Sequence, residues 1–294
     1  MIEKQDIKTE NMDWRSRILA LAENAPPALK AERIEPEPEP EKTQPKSNGK
    51  ALMWPAEIAA QPTELSRCGL FGLRPKQGQR TVVNDQLLES RGDLRVLFSG
   101  ELLSVKDETL WLAILRMGRG KPVGERIFFH MTDLLNDLGI KDSGGKTGSR
   151  EQIKARLKRL SKAHFEITLK RADRTMTLTT GLLKFAADEA SKMISVRLDP
   201  DGARLFENRA YQNWEIRLAL KSDVAIRLYD YVVGHQAGKP HAQKIENLRA
   251  WFGYSGRRDK FRVACVVGLS ELEAAGVVTQ AHADKTTLRW VRTA

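Results

Sequence analysis

The sequence predicts an α+β protein made of two tandem winged-helix domains behind a disordered N-terminal tail. Three observations predict it. Residues 1–52 lack the apolar content of a core and carry a Pro/Glu run, Glu35-Pro-Glu-Pro-Glu-Pro-Glu41, which stays extended because it has little surface to bury. Two basic helices follow, each behind a short helix and a Gly-bearing turn. An alternating hairpin follows each basic helix.

The division expected is 1–52 for the tail, 53–208 for the first winged-helix domain and 209–294 for the second. In the tail, Trp14, Ile18, Leu19 and Leu21 mark a short helix that is too brief to stand alone. Formal net charge is +11, and residues 1–50 hold nine Lys+Arg against ten Asp+Glu, so the remainder carries +12. A basic body of that kind points to a polyanionic partner. Cys68 and Cys265 match no metal spacing and form no disulfide framework. With no apolar leader and no run of about 18 apolar residues, the chain reads as cytoplasmic, with no membrane contact.

In the first unit, Leu94-Arg-Val-Leu-Phe98 reads as a strand and 108–117 as a helix with Leu110, Trp111, Ile114 and Leu115 inward. Arg126-Ile-Phe-Phe-His130 is a second strand. Thr132 is the expected cap of a helix over 133–138 that stops at Gly139. Lys141 to Gly148 forms a flexible turn. Ser149 then caps a helix over 150–163, buried through Ile153, Leu157 and Leu160. Its other faces carry Arg150, Lys154, Arg156, Lys158, Arg159 and Lys162. Phe165 to Lys170 and Thr175 to Thr180 alternate as a hairpin, with Arg171 and Arg174 at its tip.

The order recurs. Ser222 caps a helix to about Gln236 with Ile226, Tyr229 and Val233 inward. A short helix spans 245–252, and Gly253-Tyr-Ser-Gly256 turns into a long helix over 257–275. Phe261, Cys265, Leu269 and Leu272 form its buried stripe, and Arg257, Arg258, Lys260 and Arg262 crowd its start. Val277 to Gln280 and Thr287 to Trp290 close a final hairpin.

The major groove of B-DNA admits one α-helix, entered by the second helix of a helix-turn-helix with its N-terminal residues nearest the bases. The candidate DNA-binding residues are therefore Arg150, Lys154, Arg156, Lys158, Arg159, Lys162, Arg171, Arg174, Arg257, Arg258, Lys260 and Arg262. Lys170 belongs beside the wing pair. Catalytic and metal sites are not expected, nor any cofactor. Gly139 to Lys146 has the wrong spacing for a phosphate loop and follows a helix where that motif needs a strand. The five histidines form no His-x-His pair. Asp133 and Asp137 read as a cap and a solvated position, and Trp111, Trp214 and Trp251 as core.

Trp54-Pro55 through Leu70-Phe71, Pro122-Val-Gly-Glu125, Phe128, Asp133-Leu-Leu-Asn-Asp-Leu-Gly139, Lys158-Arg-Leu160 and Ser222-Asp-Val-Ala-Ile-Arg-Leu-Tyr-Asp-Tyr231 resemble, in matching order, the TrfA-type plasmid replication initiators. The resemblance runs over roughly 53–280. It implies an iteron-binding protein that recognises direct repeats in double-stranded DNA at a plasmid origin, helps open it, and recruits the host initiator and replicative helicase. It also implies a monomer on DNA and a homodimer as the inactive form that limits copy number. By position, the helix at Arg257 reads one major groove and the helix at Arg150 contacts the next. The chain departs from the family at Asn48-Gly-Lys-Ala-Leu-Met53, where related proteins carry a polymerase-clamp motif.

Overall fold

A computed structural model describes residues 53–74, 80–170, 175–188 and 191–293. The tail, and with it the short helix expected around Trp14, lies outside them.

The first unit opens with β1 (Ile58–Pro62), a 3-10 turn (Leu65–Arg67), β2 (Phe71–Gly72), β3 (Val82–Leu88), β4 (Leu94–Glu101) and β5 (Leu103–Ser104). Helix α1 (Val105–Met117) starts three residues before the expected position. Ser104 explains the earlier start: its N–H and hydroxyl both donate to Asp107 Oδ2, at 2.8 and 2.6 Å, and this closes the first turn. Strand β6 (Arg126–His130) runs into α2 (Met131–Asp137), so the expected Thr132 cap is replaced by His130, whose N–H donates to Asp133 Oδ2 at 3.2 Å. Gly139, at φ +64°, ends α2 as expected, with the Ile140 N–H returning to the Leu135 carbonyl at 2.9 Å, a left-handed stop that glycine takes without strain.

Helix α3 (Ser149–Ser161) is buried through Ile153, Leu157 and Leu160, the stripe expected. Ser149 is not its cap, however. Its hydroxyl accepts from the Ser143 N–H at 2.8 Å and fastens the preceding turn to the helix start. The hairpin β7 (His164–Lys170) and β8 (Thr175–Gly181) follows in register Phe165↔Thr180 to Lys170↔Thr175. It does not stand alone as a two-stranded wing. β4 pairs with β7, giving an antiparallel sheet ordered β3-β4-β7-β8. Strands β9 (Leu183–Ala187) and β10 (Met193–Leu198), not anticipated, make a second sheet with β6, ordered β6-β10-β9.

The second unit follows a 3-10 turn (Pro200–Glu207). Strand β11 (Arg209–Asn213) pairs back onto β1, then α4 (Trp214–Ala219), α5 (Asp223–Val233), β12 (Pro240–Lys244), α6 (Ile245–Trp251), α7 (Arg258–Ala274), β13 (Val278–Ala283) and β14 (Thr287–Arg292). Ser222 caps α5 as expected, its hydroxyl accepting from the Ala225 N–H at 3.0 Å. The final sheet is ordered β12-β14-β13, so the second hairpin also gains an unexpected third strand. Helix, turn, longer helix and hairpin occur in both units, the winged-helix order.

Two apolar clusters hold the body. The larger joins Trp111, Ile114, Leu134, Ile153, Leu157 and Phe165, and extends to Trp214. The smaller joins Leu228, Val232, Leu248, Phe261, Cys265 and Trp290, and borrows Leu73 and Val105 from the first unit. Trp251, expected in the core, is only partly buried. Gly268 brings α7 close to α5: a Cβ there would lie 3.1 Å from the Ala225 Cα, so a larger side chain would push the two helices apart.

The two units are also joined by buried charge. Arg227 Nη1 donates to Glu108 Oε1 and Oε2 at 3.1 and 3.2 Å, and its Nη2 reaches the Ser66 and Cys68 carbonyls at 3.3 and 3.2 Å. Arg217 pairs with Asp230 and, at 3.4 Å, with Glu108 Oε2. All four charged side chains are buried. Burial, and then Asp230 alongside, push the Glu108 carboxyl up to about 8 against the pull of Arg227 and Arg217.

His235 supplies a pH test of the second unit. It packs against Tyr231, His241 and Trp290 with centroids 4.6, 4.7 and 5.9 Å away. Burial, aided by Arg67, His241 and Arg91, holds it down at about 4, despite the Tyr231 carbonyl 2.8 Å from Nδ1. A histidine whose folded pKa lies below its unfolded value of about 6.5 leaves stability intact above 6.5 and removes it as pH falls toward 4. The melting temperature is expected to drop between pH 6.5 and 4, and His235→Gln is expected to remove that part of the drop. Parallel wild-type and variant melting curves across this range would contradict it.

Candidate nucleic-acid interface

Each unit presents its second helix to solvent along one side, and the predicted cations fall into three groups. In α3, Lys154, Lys158 and Lys162 point outward. Lys154 pairs with Glu151 at 3.0 Å, while Lys158 and Lys162 have no ion-pair partner among the described residues. Lys158 and Lys154 line a groove of about 520 Å³ between α3 and the β9–β10 edge, together with Lys192. Lys192 is a cation that sequence reasoning missed, because β9 and β10 were not anticipated.

Arg150 is half-buried, and its guanidinium is held by Asp142, Nε to Oδ1 at 2.8 Å and Nη2 to Oδ2 at 2.6 Å. That fork ties the turn over 141–148 to the helix start. Arg156 and Arg159 face inward. Arg159 reaches Glu101 at 2.7 Å and Asp107 at 3.1 Å, with its side chain only 9% exposed. Burial lowers the Arg156 pKa, with Asp107 opposing and Arg159 adding to the fall. The Arg159 guanidinium braces α3 against the start of α1 and the end of β4, and Arg156 is half-buried one turn before it. Arg159 was expected on the solvent-facing surface of this helix and is instead turned into the Glu101 and Asp107 carboxylates.

Arg159→Ala therefore has a predictable outcome. It leaves the buried Asp107 short of a cation, and a partly buried pair broken on one side costs on the order of 1–3 kcal/mol. Thermal stability is expected to fall, while the salt dependence of binding by the remaining folded protein stays unchanged. A salt slope reduced by about one phosphate would instead put Arg159 on DNA.

In α7 the basic start is open. Arg257 precedes the helix, Arg258 lies 3.6 Å from Glu246, and Arg257 lies 3.9 Å from Asp259, all of them solvent-facing. Lys260 is exposed and Arg262 half-buried, neither with an ion-pair partner among the described residues. The free N–H groups of the first turn add favourable potential for a phosphate. Arg289 on β14 pairs loosely with Asp284 at 3.7 Å beside the second hairpin's turn. Arg171 and Arg174, expected at the first hairpin's tip, lie outside the described residues, and Lys170 is exposed at its edge.

Asp137, read as solvated, is partly buried and pairs with Arg116 at 2.6 Å. Both cysteines are buried free thiols. Among the described residues, no cluster of three or more His, Cys, Asp or Glu is arranged to hold a metal, and no helix is long and apolar enough to cross a membrane.

The model of the family described as "TrfA protein" matches residues 46–291, through both units. The chain belongs to the TrfA family. Plasmid replication initiator protein TrfA from Escherichia coli is 28% identical over 236 residues, 78% of this chain. The chain spans 60% of that relative's length. In three dimensions, domains 2 and 3 of RctB superpose with a TM-score of 0.55 at 13% identity, over 80% of this chain and 99% of that one. The Pi initiator protein in complex with iteron DNA superposes more loosely, with a TM-score of 0.44 at 12% identity over 64% of this chain and 92% of that one.

Proposed function

We propose that this TrfA-family chain is a plasmid replication initiator that binds direct repeats in origin DNA as a monomer. It promotes opening of the neighbouring duplex and recruits the host initiator and replicative helicase. The observation that carries this reading is the pair of unlike second helices, α3 and α7, joined through buried Glu108, Arg217, Arg227 and Asp230. A symmetric dimer of one winged helix suits a palindrome, whereas two different readers on one chain suit an asymmetric site. Direct repeats are arrays of such asymmetric sites, each taken by one chain. Family membership, and the replication role in the name of the Escherichia coli relative, support the biological purpose.

In this reading α7 enters one major groove. Arg258 and Arg262 address base edges, and Arg257 and Lys260 address phosphates. Helix α3 lies along the next groove with Lys158, Lys162 and Lys154 on the backbone, and Lys170, Arg171 and Arg174 follow the adjoining strand. The working division is 53–208 for the first domain and 209–294 for the second, with the homodimer as the inactive form. The chemistry is binding and duplex distortion, without turnover or a cofactor.

A small plasmid carrying the candidate origin, with the chain supplied from a second plasmid, tests it. The wild-type chain is expected to maintain the small plasmid, and a chain with an altered α7 start is not. A chain that binds the repeats and silences an adjacent promoter, yet never sustains replication, would be a repressor.

A further inference from the structure

The outward row of α7 is not uniformly polar. Opposite the buried stripe stand Lys260, Val263, Val267 and Ser270, spaced three, four and three residues apart and all exposed. Val263 is 54% exposed and Val267 53%. Valine is a poor choice for a solvated helix face, because its β-branch loses rotamer freedom there and its methyls meet water. One such residue needs no explanation, but two at i and i+4 form a continuous apolar strip.

The surroundings of the strip favour nucleic acid over an apolar protein surface. Arg258, Lys260 and Arg262 flank its N-terminal side. The acids near the other end are turned toward backbone: Glu271 accepts from the Lys221 N–H and Glu273 from the Ala281 N–H, at 2.9 and 3.1 Å. The outward row of α3 contrasts with it. Gln152, Ala155, Lys158 and Lys162 are exposed there, and this row offers charge and amide with only one methyl.

The thymine C5-methyl is the principal apolar group on the floor of the major groove. We propose that Val263 and Val267 contact thymine methyls, so that α7 selects thymine at two positions of its half of the repeat while α3 supplies mainly backbone affinity. The proposal rests on α7 being the groove helix. Residues four apart on a helix are about 6 Å apart along its axis, and base pairs are about 3.4 Å apart, so the two thymines are expected about two base pairs from each other.

Removing only the methyl tests it. Full-length protein is titrated with a duplex carrying one native origin repeat, and with duplexes in which each thymine in turn is replaced by deoxyuridine. Binding is expected to weaken about fourfold, the effect of one buried methyl, at two positions about two base pairs apart. V263A is expected to abolish the penalty at one position and V267A at the other. Arg258→Ala lowers overall affinity and leaves both penalties in place. Alanine favours an exposed helix position over valine, so these variants keep the fold, checked by melting. Tight repeat binding that tolerates deoxyuridine everywhere overturns the proposal alone, as do penalties that persist undiminished in both valine variants. A wild-type chain with no preference for the repeat over random duplex overturns the direct-repeat reading and the proposal with it.

Discussion

Replacing Arg227 by Met is expected to lower the melting temperature by about 10 °C. The side chain is wholly buried, and with Arg217 it is one of two guanidiniums that lie between Glu108 on α1 and Asp230 on α5. Methionine matches its stem but leaves Glu108 and Asp230 facing each other with Arg217 alone between them. Removing one partner of a buried ionic group costs about 3–5 kcal/mol, and at this size each kcal/mol moves the melting temperature by about 2–4 °C. The cation–π contact of Arg227 with Phe252, at 5.2 Å, is lost as well. The loss also depends on pH. The Glu108 carboxyl already sits high, at about 8, and losing a cation raises it further. A carboxyl raised above its unfolded value stabilises the fold while protonated and withdraws that stability as pH climbs through its folded pKa. Differential scanning calorimetry at pH 6 and pH 9 should show the larger deficit at pH 9. A Glu108→Gln/Arg227→Met pair is expected to recover part of the loss, since both charges leave together. A variant melting within about 2 °C of wild type would contradict the joining role of this cluster.

Substituting Arg258, Lys260 and Arg262 together by Ala is expected to weaken binding to an origin repeat by on the order of 100-fold or more at physiological salt. Each phosphate contact contributes about −0.9 to the slope of log affinity against log salt, and a bidentate Arg–guanine pair adds about 1–3 kcal/mol of base discrimination. Binding to random duplex is expected to fall less, because it lacks the base-reading component. These side chains lie at the surface or near it, so the fold should be preserved within about 0.5 kcal/mol. Equal loss on repeat and random DNA would show that the α7 start holds only backbone. The matching change in α3, Lys158→Ala, is expected to lower both affinities alike and reduce the slope by about one phosphate.

The parts of this arrangement that follow local rules were legible in the sequence. The stripe Phe261, Cys265, Leu269, Leu272 locates α7, the stripe Ile153, Leu157, Leu160 locates α3, and alternation locates both hairpins. The features that depend on distant partners were not. Arg159 looks like any other cation on a basic helix, and its partners, Glu101 and Asp107, sit more than fifty residues upstream. Arg227 and Asp230 take polar positions on what reads as an amphipathic helix, yet α5 is enclosed on nearly every side by the two clusters and β11. Strands β9, β10 and β12 are short; β9 pairs with β10, while β10 pairs with β6 far upstream and β12 with β14 later in the chain. Met193-Ile-Ser-Val-Arg-Leu198 does alternate, which is the signal that would have placed β10 and, with it, Lys192 beside α3. Val263 and Val267 were visible as residues, but only the structure put them in one exposed row.

Methylation interference in the major groove, combined with the mass of the complex on a single origin repeat, is the most direct measurement. A protein with two unlike readers on one chain should bind as one chain per repeat. Modified guanines should then interfere in two successive major grooves about one helical turn apart, with unequal strength and no two-fold symmetry. Two chains placed symmetrically on a palindrome, or interference confined to a single groove, would contradict the two-reader grip.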